Sequence, residues 1–265
     1  MSLVFAAITP HPPLLLPTIG KDNDLKKLEK TKKALEQLEE DLYLSKPDTI
    51  VMLTSHNHLL PDAFTVNMSP DYETDLRDFG DLTTRLKFRG EMTLTSAMRE
   101  ATKGSGIPAV LISEKFLDHP AAVPLFFLSP HLAGCSILPI GYSELDFKTH
   151  WDFGNLINEQ IMDTNKRVAV IASSDLSHAL ISDAPAGYNE AGPEFDKKIQ
   201  ELLAHKNVVN MLQFDPAFVK NAAAEPGFRT ILMLMGIIHD QNYTYRSHCY
   251  EAPMGVGYLT ANFVI

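Results

Sequence analysis

Four histidines lie where this sequence could do chemistry. His11, His56 and His178 each follow directly on an apolar, strand-like run, and His119 lies between Asp118 and Pro120. Imidazole binds transition metals and exchanges protons near neutral pH. In open α/β sheets, ligands bind at the carboxyl ends of the strands, so histidines from distant parts of the sequence can converge there. With one carboxylate they would form a two-histidine, one-carboxylate site, which suits Fe(II) and oxygen chemistry.

The segment after one apolar run pairs an acid with an imidazole. Asp175 precedes His178 by three residues. If the chain enters a helical turn here, the two side chains share a face. Asp175 would then fix the tautomer of His178 and raise its basicity, as a general base requires. The neighbouring serines also suggest a hydrolase, but they lie too close together in sequence to indicate a catalytic triad.

The acidic ligand has two candidates. Glu225 precedes Pro226 and a strongly apolar helical run, and Pro favours the first position of a helix, which places Glu225 at the N-cap. Because glutamate is a poor N-cap, its carboxylate would either interact with the helix dipole or bind another partner such as a metal. Glu251, at the end of a later strand, is the rival. Arg229 would orient the ligating acid or neutralise an anionic substrate.

Alternating strands and helices must position these residues. The pattern predicts an α/β protein with one domain over residues 1–265, a central mixed sheet flanked by helices, and the site at the carboxyl ends of the strands. The predicted strands are Leu3–Ile8, Thr49–Leu53, Ala109–Ile112, Ser136–Ile140, Arg167–Ala172, Tyr243–Tyr250 and Val256–Val264. The predicted helices are Asp22–Tyr43, Lys148–Asp163, Glu194–His205 and Gly227–His239.

Composition excludes several classes of protein. The chain has 265 residues, of which 45% are hydrophobic, and 33 acidic residues outnumber 23 Lys and Arg for a net charge of −10. Such a chain is poorly suited to nucleic acid or to an anionic membrane surface. No apolar run reaches the ~18–20 residues that span a bilayer, and no basic segment precedes the apolar N-terminus. These features, with only two cysteines, predict a soluble cytoplasmic protein.

The motifs of this sequence and their order along the chain resemble those of one known superfamily. The sequence is similar to the class III extradiol ring-cleavage dioxygenases of the catalytic B-subunit type. The similarity is greatest to a small single-domain branch that is found alone or beside AMMECR1-type domains and is related to the Memo proteins. It extends from about residue 3 to 264, and it is carried by Pro10-His11-Pro12-Pro13, His56, Leu117-Asp118-His119 with Val123-Pro124-Leu125, Ala172–His178, Asp183-Ala184-Pro185-Ala186-Gly187-Tyr188, Ala224–Thr230 and Tyr250-Glu251-Ala252-Pro253-Met254-Gly255-Val256-Gly257-Tyr258.

The resemblance implies a site and a reaction. It implies non-haem Fe(II), with Zn or Mn as alternative divalent metals, held by His11, His56 and Glu225. It also implies second-sphere acid and base roles for His119 and His178, with Asp175 in support. The substrates would be a small aromatic diol and O2. Related catalytic subunits commonly pair, so a homo-oligomer is a further expectation.

Two other functions remain open from the sequence. A Memo-like metal- or ligand-binding protein would share the pocket without cleaving a ring, and a hydrolase would turn over esters or amides without O2. The chain departs from the superfamily pattern at Glu225-Pro226-Gly227, where relatives carry cysteine in the middle position. Since proline offers no side-chain ligand, either Glu225 supplies the third ligand or that ligand lies elsewhere.

Overall fold

The structure is a computed structural model that describes residues 2–55 and 59–265. Within these residues, a mixed sheet of eleven strands is flanked by helices, which confirms the predicted α/β class. The strands are β1 (Leu3–Thr9), β2 (Thr49–Thr54), β3 (Phe64–Asn67), β4 (Asp71–Thr74), β5 (Lys87–Gly90), β6 (Ala109–Ile112), β7 (Phe116–Leu117), β8 (Ser136–Gly141), β9 (Val168–Ser173), β10 (Thr244–Glu251) and β11 (Tyr258–Val264). The helices are α1 (Asp22–Lys27), α2 (Glu29–Ser45), α3 (Met92–Ser105), α4 (His119–Leu128), α5 (Phe147–Met162), α6 (Ala191–Ala204), α7 (Val208–Leu212), α8 (Pro216–Asn221) and α9 (Glu225–Ile237).

Four parallel strands form the centre of the sheet. The order along the sheet is β10-β11-β1-β9-β2-β8-β5-β4-β7, and β3 pairs with both β8 and β6. Strands β1, β9, β2 and β8 run parallel to one another, while β11 closes against β1 in the antiparallel sense. The two innermost strands, β2 and β9, are buried along their whole length, as expected for parallel strands covered on both faces. Their carboxyl ends therefore lie at one edge of the sheet.

A hydrophobic core lies on each face of the sheet. On one face, α5 and α9 pack with fully buried side chains such as Phe153, Ile157 and Phe228. On the other face, α2 and α4 contribute fully buried Leu38 and Val123. Among the described helices, none combines the length and apolar character needed to cross a bilayer. The two cores hold the central strands, and hence their carboxyl ends, in fixed register.

Two local expectations differ from the structure. The predicted helix Asp22–Tyr43 is divided into α1 and α2 at Leu28, whose φ of −100° and ψ of 13° leave the helical region. The helical turn considered after β9 does not form, because Asp175 instead makes an antiparallel bridge with Tyr258 of β11. The segment that carries Asp175 and His178 is therefore held by strand-like contacts.

Candidate active site

A cavity of about 300 Å³ opens at the carboxyl ends of the central strands. His11 follows β1, Ser55 follows β2 and Asp175 follows β9, so the parallel register of these strands places all three together. Four of the six predicted site residues line this cavity. The described lining is His11, Ser55, Asp175, His178, Ala223, Glu225, Pro226 and Gly227.

His11 is buried and held by several polar contacts. It is only 4% exposed and lies between prolines, just before a short 3-10 turn at Pro13–Leu15. Its backbone N–H donates to Asp175 Oδ1 at 2.9 Å. On the ring, Nε2 lies 3.4 Å from Ser55 Oγ and 3.7 Å from Asp175 Oδ2, and Nδ1 lies 2.8 Å from Ser173 Oγ. Asp175 thus fixes the loop that carries His11.

His178 is oriented by backbone carbonyls, and not by Asp175 as predicted, because the Asp175 carboxylate faces His11 instead. The Nδ1 of His178 lies 3.0 Å from the carbonyl oxygen of Leu176 and 3.2 Å from that of Ala223. Because a carbonyl only accepts, Nδ1 carries the proton and the neutral ring has its lone pair on Nε2. Ala223 itself adopts a left-handed φ of 50°, an uncommon conformation for a residue with a Cβ. These contacts give the ring the tautomer of a base acting through Nε2.

Glu225 lies at the mouth of the cavity and pairs with an arginine. The prediction that Glu225 is the N-cap is wrong by one position, because Glu225 is already the first residue of α9 and Ala224 is the N-cap. The Glu225 side chain is 36% exposed, and Oε1 lies 3.5 Å from Arg229 Nη2, one helical turn on. Arg229 is buried, donates to the carbonyl of Leu145 and lies over the ring of Phe147. The arginine is therefore within ion-pair distance of the carboxylate and is itself held by the groups behind it.

A close approach of α9 to Asp175 closes one side of the cavity. A Cβ added at Gly227 would lie 1.9 Å from the carbonyl oxygen of Asp175. The same backbone segment pairs with Tyr258, whose hydroxyl pKa is raised by burial and by the nearby Asp175. Glycine at position 227 is thus what allows the helix to approach the bridge.

His119 contacts the site through His11. It is the first residue of α4, and its ring centroid lies 5.6 Å from that of His11 in an edge-on arrangement. The ring of Phe79 packs edge-on against His119 at 4.8 Å. The side chain therefore belongs to the same cluster of rings as the predicted metal ligand.

The rival acid, Glu251, is committed elsewhere. Its Oε1 accepts hydrogen bonds from the backbone N–H of Thr31 at 2.9 Å and from the Thr31 hydroxyl at 2.6 Å, which joins the end of β10 to α2. The other predicted ligand, His56, lies outside the described residues. In residues 2–55 and 59–265, no three His, Cys, Asp or Glu side chains are grouped closely enough to hold a metal ion. By chemical type, imidazole nitrogen and carboxylate oxygen facing one cavity fit Fe(II), Zn or Mn.

The serines beside Asp175 are not placed as nucleophiles. Ser173, Ser174 and Ser177 have no exposed surface. The hydroxyl of Ser173 donates to the carbonyl of Pro120, that of Ser174 pairs with Thr230, and that of Ser177 donates to Ala222. All three side chains are therefore used in internal hydrogen bonds.

Sequence reasoning did not identify several residues around the site. Ser55 and Ala223 line the cavity, and Asp196 of α6 accepts from the backbone N–H of Ser177 at 2.9 Å and from the Tyr250 hydroxyl at 2.6 Å. Burial raises the pKa of Asp196 to about 6. Of these residues, only Ser55 could have been suspected from the sequence, because it directly follows a predicted strand. Many serines share that position, so it does not identify a site residue.

Nearly the whole chain is similar in sequence to known proteins. Residues 5–260 match the family described as the catalytic LigB subunit of aromatic ring-opening dioxygenase. Protein CA_C1420 of Clostridium acetobutylicum is 31% identical over 97% of this chain, which spans 57% of that relative's length. The 4,5-DOPA dioxygenase extradiol of Mirabilis jalapa is 26% identical over 90% of this chain and 91% of its own. The 2-aminophenol 1,6-dioxygenase alpha subunit of a Pseudomonas species is 25% identical over the full length of both chains.

The fold is also seen among solved structures. The crystal structure of uncharacterized protein JW3007 from Escherichia coli K12 superimposes with a TM-score of 0.70 and covers 98% of this chain and 99% of its own, at 16% sequence identity. The topology is therefore found in a protein of distant sequence.

Proposed function

Because this chain belongs to the LigB family of catalytic subunits of aromatic ring-opening dioxygenases, we propose that it is a non-haem Fe(II)-dependent extradiol-type dioxygenase. Its substrate would be a catecholic aromatic, with two vicinal hydroxyl groups, whose ring it opens with O2. The observation that carries this proposal is the cavity that joins His11, Asp175, His178 and Glu225 at the carboxyl edge of the sheet. The extradiol dioxygenase relatives support the reaction class.

We assign the metal to His11, His56 and Glu225. A bound Fe(II) would hold the two diol oxygens, lower their pKa and leave a position open for O2. His11 presents Nε2 on the side of Ser55 and Asp175, which both line the cavity. The Glu225 carboxylate is kept at the mouth by Arg229, and a charged partner of this kind orients a carboxylate ligand. Zn or Mn would fit the same donor atoms.

His178 is the proposed base. Its Nδ1 proton is held by the carbonyls of Leu176 and Ala223, so Nε2 is the nitrogen that accepts a proton from a diol hydroxyl. Imidazole suits this task because its ordinary pKa lies close to neutral pH. His119 would donate a hydrogen bond to the substrate or to O2 from beside His11. Asp175 acts through the His11 loop, since its carboxylate accepts from the His11 backbone.

Oxygen uptake and iron content test these roles together. Protein loaded anaerobically with Fe(II) is mixed with catechol, protocatechuate or gallate, and O2 consumption is followed beside bound iron. We expect His178→Ala to keep its iron and to lose roughly 100-fold or more in turnover, because it removes a general base. We expect His11→Ala to lose both. His205→Ala, at an exposed position after α6, is the matched control and should change neither.

Three outcomes would redirect the proposal. Equal iron content in the His11 and His178 variants would show that the roles are assigned wrongly. Tight metal binding with no O2 uptake on any diol would favour the Memo-like binding protein. For the third ligand, Glu225→Gln should weaken iron binding and Glu251→Gln should not, since Glu251 is bound to Thr31; the reverse result would exchange the two assignments.

A further inference from the structure

Ser173 is the residue that joins His11 to a neighbouring helix. It is the last residue of β9, it lies opposite Thr9 of β1 in the parallel register, and it has no exposed surface. Its Oγ lies 2.8 Å from His11 Nδ1 and donates to the carbonyl oxygen of Pro120 at 2.5 Å. Pro120 follows His119 in α4, so the hydroxyl connects His11 to the helix that begins at His119.

The single proton of the Ser173 hydroxyl determines the direction of each of its hydrogen bonds. A serine hydroxyl has one proton to donate, and a carbonyl oxygen can only accept. The Ser173 proton is therefore directed to Pro120, and Ser173 Oγ must accept from His11 Nδ1–H. A neutral His11 then carries its lone pair on Nε2, on the side of Ser55 and Asp175.

We propose that Ser173 is a positioning residue that selects the tautomer of His11 and so presents Nε2 to the metal. Histidine ligands usually donate their second ring N–H to a neighbouring group, which fixes both the tautomer and the ring orientation. That group is most often a carboxylate, a carbonyl or water, whereas here it is a hydroxyl whose own proton is held by a helix backbone. The metal part of this inference rests on the proposed function, while the tautomer part does not.

A purely structural role for Ser173 predicts different behaviour. If the hydroxyl served only to satisfy a buried carbonyl, its removal would lower stability without changing which nitrogen of His11 carries the proton. Ser174 is the matched comparison, because it is the next residue and equally buried, yet its hydroxyl pairs with Thr230 Oγ1 at 2.5 Å. The two serines therefore separate a general loss of packing from a specific effect on His11.

Nitrogen NMR on metal-free protein tests the tautomer directly. Long-range proton–nitrogen spectra at mildly alkaline pH distinguish Nδ1–H from Nε2–H imidazole, and the His11 signals are identified by their loss in His11→Gln. We expect a single Nδ1–H form of His11 in the wild type and in Ser174→Ala. We expect a mixture with Nε2–H in Ser173→Ala, and return of the Nδ1–H form in Ser173→Thr, which keeps the hydroxyl.

Fe(II) affinity, measured anaerobically by calorimetry on the same variants, tests the consequence. Ser173→Ala should bind iron roughly 10- to 100-fold more weakly, with Ser173→Thr restoring most of the affinity. An unchanged tautomer in Ser173→Ala, or a changed tautomer with unchanged iron affinity, would overturn the proposal. Absence of iron binding in the wild type would contradict the proposed function instead, and the tautomer spectra would still decide what Ser173 does to His11.

Discussion

Asp196 should make the stability of this protein fall as the pH rises through 6. The side chain is 2% exposed, and burial raises its pKa from 3.8 to about 6, although the hydrogen bonds from Tyr250 and from the Ser177 amide act in the opposite direction. Between the pKa of 3.8 in the unfolded state and that of about 6 in the folded state, the folded protein binds a proton that the unfolded chain has released. The stability that this group contributes is therefore fully present below about pH 4 and is lost as the pH rises from about 4 through about 6.

The size of the effect follows from the displacement of the pKa. At about 1.4 kcal/mol for each pH unit, a rise from 3.8 to about 6 corresponds to roughly 3 kcal/mol in the free energy of unfolding. Asp196→Asn keeps a neutral side chain of the same shape at every pH. The variant should therefore gain roughly 3 kcal/mol on the wild type between about pH 4 and about pH 7.5.

Urea unfolding at a series of pH values measures this difference. Other groups titrate in both proteins and cancel when the variant is compared with the wild type. Tyr250→Phe serves as the control, because it removes a hydrogen bond that lowers the Asp196 pKa and should move the transition to higher pH. A difference between wild type and Asp196→Asn that stays constant across the range would refute the reasoning.

Two further predictions concern the approach of α9 to the site and the opposite edge of the sheet. Gly227→Ala should destabilise the protein by ~1–3 kcal/mol, because the added methyl group would lie 1.9 Å from the Asp175 carbonyl oxygen, whereas Gly104→Ala, in open space on α3, should be neutral or stabilising. Equal midpoints of urea unfolding for these two variants would contradict this. Burial opposes the ionisation of Glu91, but hydrogen bonds led by that from Lys166 lower its pKa from 4.5 to about 2. As the pH falls from about 4.5 to about 2, the wild type should therefore lose roughly 3 kcal/mol in free energy of unfolding that Glu91→Gln does not lose, and parallel acid-unfolding curves would argue against this.

The central strands and the buried helix could be predicted from the sequence because burial leaves a plain pattern. A strand covered on both faces is a nearly continuous apolar run, as in Thr49–Thr54 and Val168–Ser173. Helix Glu225–Ile237 is apolar on nearly every side. Prolines around His11 then indicated a loop at a strand end, and the structure places it there.

Other elements lacked such a pattern. Strands β4 and β5 have only four residues each, and just two of these eight side chains, both in β4, are buried, which is too little for a clear alternating pattern. Helix α4 is apolar all round and contains Pro124, although proline is normally excluded from the interior of a helix. The break between α1 and α2 at Leu28 falls within an uninterrupted helical periodicity.

The composition of the site was partly predictable, and its hydrogen bonds were not. Histidines at strand ends converge because parallel strands share an edge, which is a property of the fold class. The choice between Glu225 and Glu251 depends on which carboxylate is bound to Thr31, a contact between residues 220 positions apart. The partner of His11 depends on the register that sets Thr9 opposite Ser173. Such contacts arise only after the chain has folded.

Isotope labelling tests the central claim most directly. Fe(II)-loaded protein is given a diol on which it consumes oxygen, under an atmosphere of ¹⁸O-labelled O2, and the product is examined by mass spectrometry. A ring-opening dioxygenase places both labelled atoms in an opened product, and the His178→Ala variant should form almost none of it. Oxygen uptake that yields an unlabelled quinone, or label in water alone, would contradict the assignment of this cavity as a ring-cleaving site.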